Sequence, residues 1–571
     1  MYRTRPLLGR LFSGVLALGI VTTLAVPQAV ADPPNGGESL RLLAKAAPDE
    51  CFAGIGVPYP PGPPCAEGQP KVNQAYVWGL AQTGRRLWFG TGANVLCLKP
   101  EGYNVREPIL NDDYACEYGD SQPAQQNPQL PATLGDHRPP QVFTYDLSTD
   151  DLRERTADIV GASEADADLL RSTAGLRAAA AHHGVVLLGG PSVVDGVNLF
   201  AFDSFSGRYL GSANLTAYQN IRHFTVAAGE LYAGVGLGVN GGESGQVLRW
   251  TGNRAAPFTF VEVGDLPTQV ADITAHHGRI YVTTWPKAIV DGSAAAPVVD
   301  TSGLASVWMS PPLATGAPGL TVDDAHGWTQ VWTVGEYEPD PVVAQAYALG
   351  GLASFDGHLY WGTMHVPLQA TALHLATYPP RSPAQVQATV QNTQRALGVF
   401  RGRAFGTAFE QVETLYGESE LPAFDPTANG GTGAWASTPT GQTPRYGESG
   451  FGDPFNLYAW KMAVAGDRLY IGTMDFAYIS LDGEMPTPDP GSAEATPPTF
   501  GADLWAFDSA DEAARPVDTT GLGNPLNQGV RTMIPYGSTL YVGTANPMNL
   551  RADPTPGVPK GGWELIELTR P

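Results

Sequence analysis

Three arginines, Arg177, Arg222 and Arg531, stand at one equivalent place in a repeating pattern, nine residues before the first residue of a short apolar phrase. Guanidinium groups gathered at one point would bind a carboxylate or sulfate through paired N–H donors. The competing reading pairs each arginine with an acidic neighbour across a packed contact. A second equivalent place, two residues past the threonine that ends the phrase, holds His365, Asp475 and Asn546. A histidine and an aspartate there could serve as base and orienter, or share a metal; the alternative is that they tie down loop backbone. The segment 446–460 interleaves Tyr446, Phe451 and Trp460 with Glu448 and Asp453, a mixture suited to stacking and hydrogen-bonding sugar rings. Glu336, Glu338 and Asp340 add carboxylates of the kind glycoside hydrolysis uses, with no separation readable from sequence.

These residues are positioned by repeats. The phrase occurs seven times, as Leu87-Trp88-Phe89-Gly90-Thr91, Leu359-Tyr360-Trp361-Gly362-Thr363, Leu469-Tyr470-Ile471-Gly472-Thr473, Leu540-Tyr541-Val542-Gly543-Thr544 and looser copies beginning at 186, 231 and 280. The two shortest spacings, 45 and 49 residues, match the length of a four-stranded propeller blade. Tight turns such as His183-Gly184 and Asp356-Gly357 precede the phrase, and strands such as Asp503-Leu504-Trp505-Ala506-Phe507 follow it. The fold read from this pattern is all-β: a seven-bladed β-propeller of four-stranded antiparallel blades over residues 76–571, with long insertions on one face. The largest insertions fall at about 92–139, 365–393 and 417–456. They join second strands to third, or one blade to the next, so they share that face. The equivalent of the arginine position in the other repeats is Trp78, Ala271, Gly350 and Trp460, on the innermost strands. Ala384–Leu397 has helix-forming composition behind a Ser382-Pro383 start. The last repeat ends at its third strand, so residues 32–75 are expected to form an arm that supplies or covers the missing outer strand.

Composition supports this reading. Gly and Pro number 68 and 50 in 571 residues, too turn-rich for a helical bundle, while 43% apolar residues exclude a disordered chain. Residues 1–31 read as a Sec-type signal peptide, with Arg3, Arg5 and Arg10, an apolar stretch from Leu11 to Val26, and an A-x-A site ending at Ala31. Its loss would remove three of 33 basic and none of 56 acidic residues, taking the net charge from −23 to −26. Such a field repels nucleic acid and anionic membranes. No cofactor motif is evident; Gly236-Leu237-Gly238-Val239-Asn240-Gly241 lies between strands and opens no helix. The acid excess leaves Ca²⁺ or another divalent cation open, although no EF-hand loop is present. Cys51, Cys65, Cys97 and Cys116 imply two disulfides of unassigned pairing in an exported chain.

The L-Y-x-G-T phrases, with the third strands of 503–507 and 563–568, resemble secreted bacterial β-propeller repeat proteins with kelch-like or WD40-like blades. The resemblance implies an architecture and no activity. The function expected is that of a secreted or periplasmic monomer binding an extracellular small molecule, glycan or protein ligand. The ligand, anionic or carbohydrate in class, would sit at the axial mouth of the loop-rich face, on Arg177, Arg222, Arg531, Asn546, Asp453 and Trp460. The alternative is a polysaccharide lyase or glycoside hydrolase using the same face, with His365, Asp475 and Tyr446 as its catalytic groups.

Overall fold

The structure is a computed structural model that describes residues 37–52, 65–66, 68–97, 137–287, 301–313, 319–480, 499–553 and 555–570. The signal peptide, Cys116 and most of the 92–139 insertion lie outside the described residues.

Strands dominate and pair antiparallel in runs of four. The phrase forms the second strand of each run, and it is buried along nearly its whole length because sheets press on it from both sides. Its glycine sits where the first strand of the next sheet approaches. A Cβ on Gly362 would lie 2.2 Å from the Ala459 Cβ, and one on Gly472 would lie 2.3 Å from a Val530 methyl. Its threonine is fully buried and accepts a backbone N–H where the third strand begins: Gly398 N to Thr363 at 2.7 Å, Asp503 N to Thr473 at 2.8 Å and Glu564 N to Thr544 at 2.9 Å. Four of the preceding turns carry two consecutive positive-φ residues, at His183-Gly184, Ala228-Gly229, His277-Gly278 and Asp356-Gly357. That is the turn whose twist matches a right-handed hairpin.

The first strands of successive runs pack against one another in order: Gln74–Thr83, Ala178–His182, Asn220–Ala227, Val270–His276, Tyr347–Phe355, Asn456–Ala465 and Gly529–Tyr536. The last of these returns to the first. They therefore enclose an axis. The outer edge of the final run, beyond Glu564–Thr569, is filled by Ser39–Lys45 in antiparallel register, with Leu40 opposite Leu568. Just before this strand, Glu38 is buried between Arg468 at 2.6 Å and Arg515. Glu50–Phe52 pairs with Gln69–Lys71, and Cys51 is bonded to Cys65. Cys97 is also disulfide-bonded.

Insertions supply the remaining elements. Helices span Gln369–Thr377 and Pro383–Asn392, and the Ser382 hydroxyl caps the latter at the Gln385 N–H. A hairpin of Glu420–Asp425 and Ala434–Pro439 follows them. Among the described residues, no helix is long and apolar enough to cross a membrane.

Candidate functional site: a cationic chamber on the axis

A strand normally turns consecutive side chains to opposite faces. Six of the inner strands break that rule at one place. Their registers shift at Trp78, Arg222, Ala271, Gly350, Trp460 and Arg531, so each carries an extra residue there. Such bulges re-aim side chains, and here consecutive residues both reach the axis. Arg222 with His223, Ala271 with Asp272, and Trp460 with Lys461 all line one small chamber of about 30 Å³. Arg177 lies immediately before its strand, at the equivalent position.

Each arginine rests on a tryptophan. Arg177 lies 5.0 Å from the Trp78 ring centre, Arg222 3.4 Å from Trp285 and Arg531 5.2 Å from Trp460. Arg177 donates to Asn220 Oδ1 at 2.9 Å, and Arg222 donates to Gln269 Oε1 at 2.5 Å. The Nε groups of Arg177 and Arg531 are buried without acceptors. Among the described residues no carboxylate forms an ion pair with any of the three. Burial and then the charge of Arg531 bring Arg177 down to about 9. Burial also lowers Arg531 to about 10, against the pull of Asp272 and Tyr76. Arg222 falls well below its ordinary value through burial and its two arginine neighbours.

The chamber's one carboxylate is committed elsewhere. Asp272 takes the Lys461 ammonium at 2.8 and 3.0 Å and accepts the Ile273 and Leu352 N–H groups. His223 Nε2 stands 3.3 Å from the Lys461 ammonium. Burial and that ammonium push its pKa to about 3, against the pull of Asp272, so the ring is neutral. Lys461 and Asp272 thus join two inner strands that have Tyr347–Phe355 between them, and form a floor under the arginines. On the far side of this floor, His223 and Lys461 also line a cavity of about 640 Å³. Its walls are the later halves of the inner strands, including Gln82, Thr225 and Tyr536, so it opens among the tight turns. This differs from the expected mouth on the loop-rich face. There Tyr76, Trp78 and Tyr458 are buried, and Trp460 stacks edge-on between Tyr76 and Tyr458.

The remaining sequence candidates do not share this chamber. His365 is wholly enclosed, 5.3 Å edge-on from Tyr347, with neither ring nitrogen bonded; burial, then Arg395, takes its pKa to about 3. Asn546 donates to Asn527 Oδ1 and the Lys560 carbonyl, a loop-binding role. Tyr446 donates to the Ala510 carbonyl at 3.1 Å and packs with Tyr416 and Phe507. Asp475 belongs to a group of buried acids with Asp453 and Asp503. Burial, then the charges of those two, raise it to about 9, and its Oδ2 has no partner. Asp503 rises to about 7 chiefly through burial, and Asp453 is also raised by burial. Among the described residues, no set of three His, Cys, Asp or Glu side chains is arranged to hold a metal. Glu338 is bound to Arg395 at 2.7 Å, Asp340 accepts the Val342 and Val343 N–H groups, and Glu336 accepts the Thr333 N–H.

His223, Asp272, Lys461 and Trp285 were not among the ligand or catalytic residues expected. The signal for the first three was present, one residue beyond the arginine position, but ordinary strand alternation points that neighbour away from the axis.

No protein-family profile and no curated protein matches this chain. Solved structures do. The polysaccharide lyase Uly1 is 10% identical, with 94% of this chain and 99% of that one covered and a TM-score of 0.41. The WD40 β-propeller domain of Doa1 is 7% identical over 93% of this chain and 96% of that one, with a TM-score of 0.35. The β-propeller domain of the Trilobed protease from Pyrococcus furiosus is 7% identical over 84% and 91%, with a TM-score of 0.34. The chain is an all-β protein of antiparallel four-stranded sheets with the β-propeller fold. Likeness at this level says nothing of activity.

Proposed function

We propose that this chain is an exported, seven-bladed β-propeller that binds an anionic ligand, a carboxylate- or sulfate-bearing small molecule or glycan, in its axial channel. One observation carries the reading: Arg222 and Arg531 line one chamber, Arg177 is close enough to lower the pKa of Arg222, and none of the three has a carboxylate partner among the described residues, in a protein of net charge −23. Desolvated like charges raise one another's free energy, and an anion would relieve that repulsion through charge-assisted hydrogen bonds. The tryptophans hold the guanidinium planes in place from behind. The 640 Å³ cavity admits a small ligand or one end of a glycan as far as His223 and Lys461, on the side of the floor away from the arginines.

A second reading, a lyase on an anionic polysaccharide, rests on the neutral His223 beside this charge. Arginines that neutralise a uronate carboxylate would acidify its C5 proton, and a histidine that takes this proton as the C4–O4 bond breaks and returns it to the departing oxygen would leave a C4=C5 double bond. The test is calorimetric titration with sodium sulfate and with galacturonate oligomers, together with absorbance of unsaturated product. We expect binding that weakens about tenfold in Arg531→Gln, the loss of one charged hydrogen-bonding partner. Binding unchanged in that variant and in the Arg177→Gln/Arg222→Gln/Arg531→Gln variant would overturn the anion site. Unsaturated product lost in His223→Gln would favour the lyase.

A further inference from the structure

A second cavity, of about 520 Å³, lies between the helices Gln369–Thr377 and Pro383–Asn392 and the hairpin of residues 420–439. It shares no lining residue with the axial cavities. One wall is aromatic. His374 lies 4.6 Å from Trp435, 4.9 Å from Phe424 and 5.0 Å from Tyr378, measured between ring centres. Trp435, Phe424 and Tyr378 are half-buried and keep part of each ring accessible. The rim is polar, with Arg381, Gln385 and Asn392 on the helical side.

His374 stands apart within this wall. It is 1% exposed, yet neither ring nitrogen has a hydrogen-bond partner. Nε2 lies 4.0 Å from Asp340 Oδ2, too far for a bond, and that oxygen already accepts the Phe424 N–H at 2.9 Å. Burial keeps the imidazole neutral, against the pull of Asp340. Whichever ring nitrogen carries the proton, the other is left as an acceptor without a donor. A buried acceptor left in that state costs roughly 1–3 kcal/mol, which a ligand hydroxyl would recover by displacing the side chains that close the nitrogen off from the cavity.

We propose that this cavity is a binding site for a neutral saccharide ring, whose C–H face lies on Trp435 and Tyr378 and one of whose hydroxyls donates to His374. The chemistry favours this class over charged ones. A neutral imidazole gives an anion no counter-charge. A quaternary ammonium needs aromatic faces held apart around it, whereas these rings pack on one another. A sugar supplies both an apolar face and hydroxyl donors.

The test uses the full chain with cellotetraose, xylotetraose and maltotetraose as probes, by saturation-transfer NMR and calorimetry. We expect at least one probe to receive saturation on its ring protons, with affinity falling about tenfold in Trp435→Ala. Trp435 lies at the surface of the hairpin, so this variant should keep the fold even where His374→Gln does not. Arg531→Gln should leave the affinity unchanged, which separates this site from the axial one. Three outcomes would overturn the proposal: no saturation from any of the three probes, binding retained in Trp435→Ala/Tyr378→Ala, or binding lost in Arg531→Gln.

Discussion

Asp475 illustrates how far a single residue's role depends on what surrounds it. Repeat alignment places it level with His365 and Asn546, and the three do occupy matching strand ends. Their chemistry nevertheless diverges, because the loops beyond them differ: Asn546 binds loop backbone, His365 is sealed in, and Asp475 sits among other acids. The Asp475 carboxyl titrates near 9 when folded, against an ordinary 3.8. Between those values the folded chain holds a proton that the unfolded chain has released. Stability therefore falls as pH rises through this interval, by up to about 1.4 kcal/mol per unit. Asp475→Asn, which mimics the protonated acid, is expected to raise the melting temperature at pH 8 and to flatten the alkaline decline. A melting temperature no higher than the parent's at that pH would refute the assignment. The arginine position was legible residue by residue because a repeat defines equivalence. The 520 Å³ cavity was not, because the approach of two insertions to each other has no repeat to mark it.

At the scale of elements, the phrase itself was readable, and the structure explains its letters. Glycine is required where a neighbouring sheet comes within contact of its Cα, and threonine where the next strand needs an acceptor at its start. The helix behind Ser382 was likewise legible, from its cap and following proline. The bulges were not, since Trp, Arg, Ala and Gly all occur at the six positions and nothing local announces a register shift. The outer strand Ser39–Lys45 is held by its pairing and by Glu38, whose side chain is inaccessible between two arginines. Glu38→Ala leaves Arg468 and Arg515 sharing only Asp508 and should destabilise the protein by about 3 kcal/mol. Chemical denaturation measures this directly, and a loss under about 0.5 kcal/mol, typical of a surface pair, would show that the strand does not depend on it.

For the molecule as a whole, the Lys461–Asp272 pair links the Asn456–Ala465 and Val270–His276 strands past the Tyr347–Phe355 strand that lies between them. Lys461→Met strands the Asp272 carboxylate in a buried setting and should cost about 3–5 kcal/mol, whereas Lys461→Met/Asp272→Leu should recover much of that loss. Equal destabilisation of the single and double variants would show that the pair is not the relevant unit. The overall architecture was legible because the blade length and the phrase repeat together. The position of the open cavity was not, because it depends on which end of the channel the aromatic side chains of 76, 78 and 458 fill.

The pairing of Ser39–Lys45 with Glu564–Thr569 has a temporal consequence as well as a spatial one. Arg41 and Glu567, bonded at 2.9 Å, are 526 residues apart. The strand Ser39–Lys45 is made long before its partner. Until residues 564–569 emerge, Ser39–Lys45 has no ladder to join, and Leu540–Gly543, which pairs with Leu565–Leu568, keeps an open edge. Contacts of such separation form late and slowly. The final sheet is thus completed only after residues 564–569 have been made, and a chain released before then would carry two unmatched strand edges, the condition that invites aggregation.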